Sequence, residues 1–407
     1  MGTRQRPSLE VADIVRAHGE AFARAHALTP QQRAVLRDIV RCRTAELGGH
    51  KDVCASCGHV QSLSYNSCRN RHCPKCQSIA QARWVEQRMA RMLPTHAFHV
   101  VFTLPKQLRR LALANRDLVF DLLFSCAAAS LQAFARDPRR LGAELGITTV
   151  LHTWTRDLRF HPHVHCIVTG GGLSVDGLRW VPAPSHYLFP VRALGALFRG
   201  KLLDALRGAH RDGRLRFDGP AASFADAEAF RRLLDRLHRI RWVVYCKPPF
   251  GDQDQVFRYL GQYTYRVGIS NHRLVAMDSR TVTFRTRGDA KVTLDADEFL
   301  RRFVLHVLPK GFVKVRHHGL FAAGNVGSRL SLARALLAQA SSAASAGPPC
   351  AQPPDAPLRD YRDILCALTG LDLRACARCG AFDLVRCALD SAANSLHTSD
   401  HPPSDTS

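Results

Sequence analysis

The feature that most limits what this chain can fold into is a cysteine- and histidine-rich stretch, residues 48–77, with little apolar core of its own. Cys54-Ala55-Ser56-Cys57 and Cys73-Pro74-Lys75-Cys76 are two CxxC pairs, separated by the fifteen residues Gly58 to His72. That window suits a four-cysteine zinc site, in which each CxxC turn aims two thiolates at one ion. Four protein ligands leave no open position for water, so the expected role is structural. Cys42, His50, Cys68 and His72 surround the pairs and either supply a second tetrahedral site or pack around the first. Arg69, Arg71 and Lys75 lie among them, as contacts to a phosphate backbone or as a solvated basic face.

The whole chain is long enough for two or three domains. Its 407 residues carry 57 Lys and Arg against 34 Asp and Glu, a net charge of +23 and a pI near 10.1. Such an excess points to a partner rich in phosphate, and nucleic acid fits better than a membrane surface. No uninterrupted apolar run reaches the roughly 18 residues of a membrane span. The N-terminus lacks the apolar stretch of a signal peptide. A cytoplasmic location is therefore expected, with thiols kept reduced. The closely spaced members of the 14 cysteines are then metal ligands, and the others core packing.

Periodicity predicts two helices over residues 9–42, with a capping box at Thr29-Pro30-Gln31-Gln32, and a basic amphipathic helix over 79–93. Strands are expected at 99–104, 147–155, 163–169, 242–245, 273–277, 281–286 and 312–316. Helices are expected at 109–135, 191–206, 225–240, 255–267 and 295–307. Gly170-Gly171-Gly172 reads as the end of the second hairpin strand. Residues 341–357 read as a linker and 391–407 as disordered. Cys376-Ala377-Arg378-Cys379 is half of a ribbon that Cys366 and Cys387 could complete. Antiparallel strands interleaved with helices give an α+β fold.

Two further patterns carry chemistry. On a strand, His163 and His165 share one face while Val164 anchors the other. His152, on the preceding strand, can approach the same point across the hairpin. Three imidazoles with open positions left suit a divalent ion acting as a Lewis acid on phosphate. His161, beside Pro162, reads as structural. Tyr259 and Tyr263 stand i, i+4 on a predicted helix and project from one face. Paired tyrosines are usually core or interface, but this segment also holds Arg258, Gln262 and Arg266. A phenol with a pKa of about 10 is a weak nucleophile, and a metal that polarises phosphate compensates. The combination suggests DNA cleavage through a covalent phosphotyrosine.

These motifs resemble those of the IS91-type two-tyrosine HUH transposases, across residues 8–335. The resemblance rests on Cys42 to His50 (CRTAELGGH), Tyr65 to Gln77 (YNSCRNRHCPKCQ), Leu151 to Trp154 (LHTW), His161 to Val168 (HPHVHCIV) and Tyr259 to Asn271 (YLGQYTYRVGISN). It implies an N-terminal helical zinc-binding domain followed by an HUH-nuclease domain with a central antiparallel sheet flanked by helices. It also implies Mg²⁺ or Mn²⁺ on His163 and His165, with His152 as the third histidine of related relaxases, and Tyr259 and Tyr263 as nucleophiles. Partners would be single-stranded element ends and target DNA, in rolling-circle-like transposition. Tyr265 and His318 depart from the family pattern, where a His and a Tyr are expected. The expected division is 1–93, 94–335 and 336–407. Two other readings use the same residues: an HUH replication initiator or relaxase, and a non-catalytic zinc-dependent DNA-binding regulator.

Overall fold

The computed structural model describes residues 7–76, 92–247, 268–344, 366, 372 and 374–389. The expected helices at 79–93 and 255–267 fall almost entirely outside these residues, as do most of the expected linker and the tail. Twelve strands run through the described residues. In chain order they are β1 Gly49–Cys54, β2 Val60–Tyr65, β3 Ala97–Thr103, β4 Ala143–Trp154, β5 Phe160–Ser174, β6 Trp180–Pro182, β7 Val244–Lys247, β8 Leu274–Met277, β9 Thr281–Arg285, β10 Lys291–Asp295, β11 Val315–Gly319 and β12 Leu384–Leu389. Every ladder among them is antiparallel. The fold is α+β, as expected.

The chain forms two compact units, and neither is a single run of sequence. One comprises residues 1–84, 265–307 and 355–407; the other comprises 85–264 and 308–354. Residues 268–307, expected to belong with the nuclease domain, pack with the first unit.

The first unit opens with helices Val11–Ala25 and Pro30–Arg41. The expected capping box is present. Thr29 Oγ1 accepts from the Gln32 backbone N–H at 3.2 Å, and Gln32 Oε1 accepts from the Thr29 N–H at 2.9 Å. Asn271 Oδ1 accepts from the Val11 N–H at 3.1 Å, and Gln32 Nε2 donates to the Val304 carbonyl at 3.0 Å. These bonds tie the helices to the β10-β9-β8 sheet and to helix Ala296–Val304, whose Phe299 packs edge-on against Phe284. A second small sheet, β12-β1-β2, completes the unit. The zinc-binding part thus joins the expected helices to a small antiparallel sheet. Sequence alone does not reveal that its third strand comes from residues 384–389.

The second unit is built on a six-stranded sheet in the order β11-β4-β5-β3-β7, with β6 added to β5. Helices Arg116–Arg136 and Val191–Arg211 pack on it and on each other. Arg116–Arg136 is long and apolar enough to cross a membrane. Its buried residues, among them Phe120, Leu123, Phe124, Ala127 and Leu131, mark it instead as the central helix of this core. The single helix expected over 109–135 breaks at Asn115. The Asn115 side chain turns to bond Arg216, accepting from its N–H at 2.7 Å and donating to its carbonyl at 2.8 Å.

Two strand expectations need correction. β5 does not stop at Gly170 but runs through the glycines to Ser174. The sheet is so tight there that a Cβ on Gly172 would sit 2.5 Å from the Glu144 carbonyl oxygen of β4. The glycines permit the strand; they do not end it. The last strand of the sheet is Val315–Gly319, not 312–316. The apolar signal at Phe312 came from core packing, since its ring meets Phe120 edge-on at 5.7 Å.

Candidate metal centres and catalytic site

Register places the histidines. Val164 pairs with Phe102 of β3 and Leu151 of β4, and all three are essentially inaccessible to solvent. Phe198 of helix Val191–Arg211 meets Phe102 at 4.9 Å, so this face of the sheet looks onto the helical layer. The pleat then turns His163 and His165 to the opposite face. His152 stands directly across from His163 in the β4–β5 ladder. A register shift between His152 and Trp154 lets their rings stack at 4.8 Å. His152, His163 and His165 each offer a ring nitrogen, and the three nitrogens lie within 4.8 Å of one another. Nitrogens bound to one ion at about 2.1 Å stand roughly 3 to 4 Å apart, so small ring rotations suffice to gather them. This donor set fits a divalent ion.

The rings are held from behind. His163 Nδ1 lies 2.7 Å from the His161 carbonyl, which can only accept, so Nδ1 carries the proton and Nε2 the lone pair. His161, read as structural, thus orients a candidate ligand. His165 Nδ1 lies 2.8 Å from Nε2 of His99, with the ring planes only 7° apart. His99 sits on β3, two residues from Val101, the register partner of His165. It was missed because one histidine in an apolar run looks like core. The available signal was its parity on the strand.

Burial disfavours the charged forms of His163, His165 and His99. It holds the His163 imidazole at about 4, outweighing the hydrogen bond to the His161 carbonyl. It drives His165 well below its usual value, with further lowering from His163, His99 and Lys314. His99 is held at about 4 by burial and by Lys247. Neutral imidazole is the ligating form. Among the described residues the cluster contains no carboxylate, so an ion held by these rings would keep its positive charge for an anionic substrate. At its edge, Lys314 Nζ lies 5.0 Å from the centre of the Trp154 ring. Tyr259, Tyr263, Arg258 and Arg266 lie outside the described residues.

The cysteines pair differently from the sequence expectation. Cys73 and Cys76 do not join Cys54 and Cys57. They converge with Cys42 and Cys68, the four Sγ atoms lying within 4.8 Å of one another. Hydrogen bonds from Cys68, Cys73 and Cys76 hold the Cys42 thiol far below its usual range, while bonding to Cys42 pushes Cys73 up. Four thiolates this close repel one another, and a bound dication is what allows all of them to ionise. Cys54 and Cys57 lie instead with Cys376 and Cys379. His50 and His72 belong to neither group. His50 is on β1 near Asp52, and the His72 backbone N–H bonds Asn70 Oδ1 at 2.9 Å. Cys366 and Cys387 also stay apart from the C-terminal pair.

Of the basic residues in this region, Arg69 is exposed, with a left-handed backbone at φ 54°. Arg71 is half-buried, and burial lowers its guanidinium pKa. Lys75 forms an ion pair with Glu10 and donates to the Cys42 carbonyl at 3.4 Å. It braces the cysteine site.

Comparison with known proteins follows the same division. Residues 14–104 match the family model of a transposase zinc-binding domain, and residues 146–329 match that of a putative transposase. A putative transposase of Sinorhizobium fredii, y4qJ, is 45% identical over 91% of this chain and 92% of its own length. The transposase for insertion sequence element IS801 of Pseudomonas savastanoi pv. phaseolicola is 32% identical over 70% of this chain and 68% of its own. A solved conjugative relaxase, TRWC in complex with oriT DNA in a copper-bound form, aligns over 63% of this chain and 95% of its own. At 12% identity and a TM-score of 0.24 that similarity is too weak to weigh. With two transposase models matched and a 45%-identical relative spanning nearly its whole length, the chain belongs to the IS91 family of transposases and carries their N-terminal zinc-binding domain.

Proposed function

We propose that this transposase is a metal-dependent single-strand DNA endonuclease and strand transferase that nicks element ends through a 5′-phosphotyrosine and rejoins them to target DNA. The observation that carries the reading is the convergence of His152, His163 and His165 on the sheet face opposite the helical layer. These three residues would hold Mg²⁺ or Mn²⁺, which when bound polarises the scissile phosphate and offsets charge on the departing oxygen. Tyr259 and Tyr263 are the proposed nucleophiles. The phenol oxygen bonds to phosphorus, the bond from phosphorus to the 3′ oxygen breaks, and the phenolic proton ends on the 3′-hydroxyl. One phosphate ester replaces another, so the reverse reaction reseals a strand with no outside energy source. Two tyrosines permit two cleavages without release of the first strand. Lys314 and Trp154 border the site with a cation and a flat ring, chemistry suited to single-stranded DNA.

Cys42, Cys68, Cys73 and Cys76 are assigned a structural zinc within the zinc-binding domain. A reducing cytoplasm would keep these thiols available. A DNA-binding regulator would have no use for three converging imidazoles, and a replication initiator would share them but not the family to which this chain belongs.

The test is nicking of end-labelled single-stranded element ends with Mn²⁺. Wild-type protein is expected to cut, while His163→Ala and His165→Ala lose at least 100-fold of the rate (on the order of the loss when a catalytic metal site is disrupted). Undiminished cutting by either variant would refute the metal site.

A further inference from the structure

The C-terminal Cys376-Ala377-Arg378-Cys379-Gly380 lies beyond both matched family segments, which end at residues 104 and 329. Its backbone reproduces that of Cys54-Ala55-Ser56-Cys57-Gly58 bond for bond. In the N-terminal turn, the Gly58 N–H donates to the Cys54 carbonyl at 2.8 Å, and the Cys54 N–H donates to the His59 carbonyl at 2.9 Å. In the C-terminal turn, the Gly380 N–H donates to the Cys376 carbonyl at 2.8 Å, and the Cys376 N–H to the Ala381 carbonyl at 2.9 Å. Both glycines take left-handed φ values, 68° and 75°, as such a turn requires. Each turn therefore presents two thiols from the same scaffold.

The two turns face each other. Cys54 Sγ lies 3.6 Å from Cys379 Sγ, and Cys57 Sγ lies 3.7 Å from Cys376 Sγ. Sulfurs at about 2.3 Å from a tetrahedral zinc are about 3.8 Å apart. The spacing thus admits one ion and leaves no room for an iron–sulfur cluster. The surrounding contacts hold this geometry without the thiols. β12 pairs with β1 along six residues, from Gly49 opposite Leu389 to Cys54 opposite Leu384. Arg386 makes two hydrogen bonds to the Asp52 carboxylate, at 2.8 and 3.0 Å. Gln61 accepts from the Ala377 N–H at 2.8 Å, and the Ala55 N–H donates to the Asp383 carbonyl at 2.9 Å.

We propose that Cys54, Cys57, Cys376 and Cys379 bind a second structural zinc, contributed equally by the two ends of the chain, so that the zinc-binding unit is complete only when the C-terminal ribbon is docked. The ligands it joins are more than 300 residues apart, Cys57 and Cys376 being separated by 319 positions in the sequence. The second unit lies within that span of sequence and supplies none of the four ligands. Losing the ribbon would remove the ion and turn β1 into an edge strand, paired on one side only, with β2.

The test is metal content of the full-length protein by native mass spectrometry and elemental analysis. Two zinc ions per chain are expected in the wild type. Cys376→Ser/Cys379→Ser and Cys54→Ser/Cys57→Ser should each bind one, and the four-fold variant should also bind one, because both pairs serve the same ion. Retention of two ions by either double variant, or a single zinc in the wild type, would overturn the proposal. Iron in place of zinc would do the same. A measurement on unmodified protein guards against variants that fail to fold. During stepwise chelation, Cys54, Cys57, Cys376 and Cys379 should become open to alkylation together, as a group distinct from Cys42, Cys68, Cys73 and Cys76. Alkylation of Cys376 and Cys379 before any zinc leaves would contradict it.

Discussion

At the residue scale, the histidine cluster follows from parity. Two histidines flanking Val164 must share a face once Val164 is buried, and a hairpin brings His152 across from them. That much was legible in the sequence, because strand alternation is a local rule. His99 was not, because its partnership with His165 crosses from β3 to β5 and depends on register that no local pattern encodes. As a positioning residue behind His165, His99 should matter through metal affinity. His99→Ala is expected to weaken Mn²⁺ binding by about 10- to 100-fold, read by titration calorimetry, with the thermal unfolding profile of the protein little changed. Wild-type affinity in that variant would show that the 2.8 Å contact does not orient the ring.

At the scale of elements, two of the corrections have one cause: contacts between separated parts of the chain. Two CxxC pairs fifteen residues apart satisfy the spacing rule for one zinc site, yet each pair closes on other cysteines. Spacing says which thiols can reach an ion and not which of them fold together. The three glycines of β5 look like a strand terminator in isolation, whereas the neighbouring strand β4 makes them a requirement. Gly172→Val should therefore destabilise the second unit by about 1–3 kcal/mol, the range for overpacked cores, measured by urea unfolding; stability equal to wild type would show that the sheet relaxes there. The β1–β12 pairing offers a test of sign. Hydrogen bonds from Arg386 hold the Asp52 carboxyl below its ordinary value of 3.8. A carboxylate with a depressed folded-state pKa adds stability above the unfolded-state pKa, and that stability is lost as pH falls through the folded-state value. Asp52→Asn should then be less stable than wild type at pH 7, with the difference shrinking below about pH 4. A difference that grew with acid would contradict the pairing.

For the whole molecule, the α+β class, the zinc-binding region and the sheet bearing the histidines were all legible in the sequence. The way the units are assembled was not, because the first unit is drawn from three separated stretches and the second from two. A continuous division at residue 93 is the natural reading of a chain, but residues 268–307 and 374–389 pack with the N-terminal helices and strands. Family membership makes the chain a transposase, and in the proposed function the histidine cluster would supply the metal site. The most direct test of the central claim is covalent capture of DNA. Wild-type protein is incubated with single-stranded element ends and Mn²⁺, the adduct is isolated on denaturing gels, and the modified peptide is identified by mass spectrometry. The account predicts a 5′-phosphotyrosine at Tyr259 or Tyr263, abolished by Tyr259→Phe/Tyr263→Phe and by chelation. An adduct that persists in the double variant, or cutting of the correct ends with no protein–DNA bond at all, would contradict it.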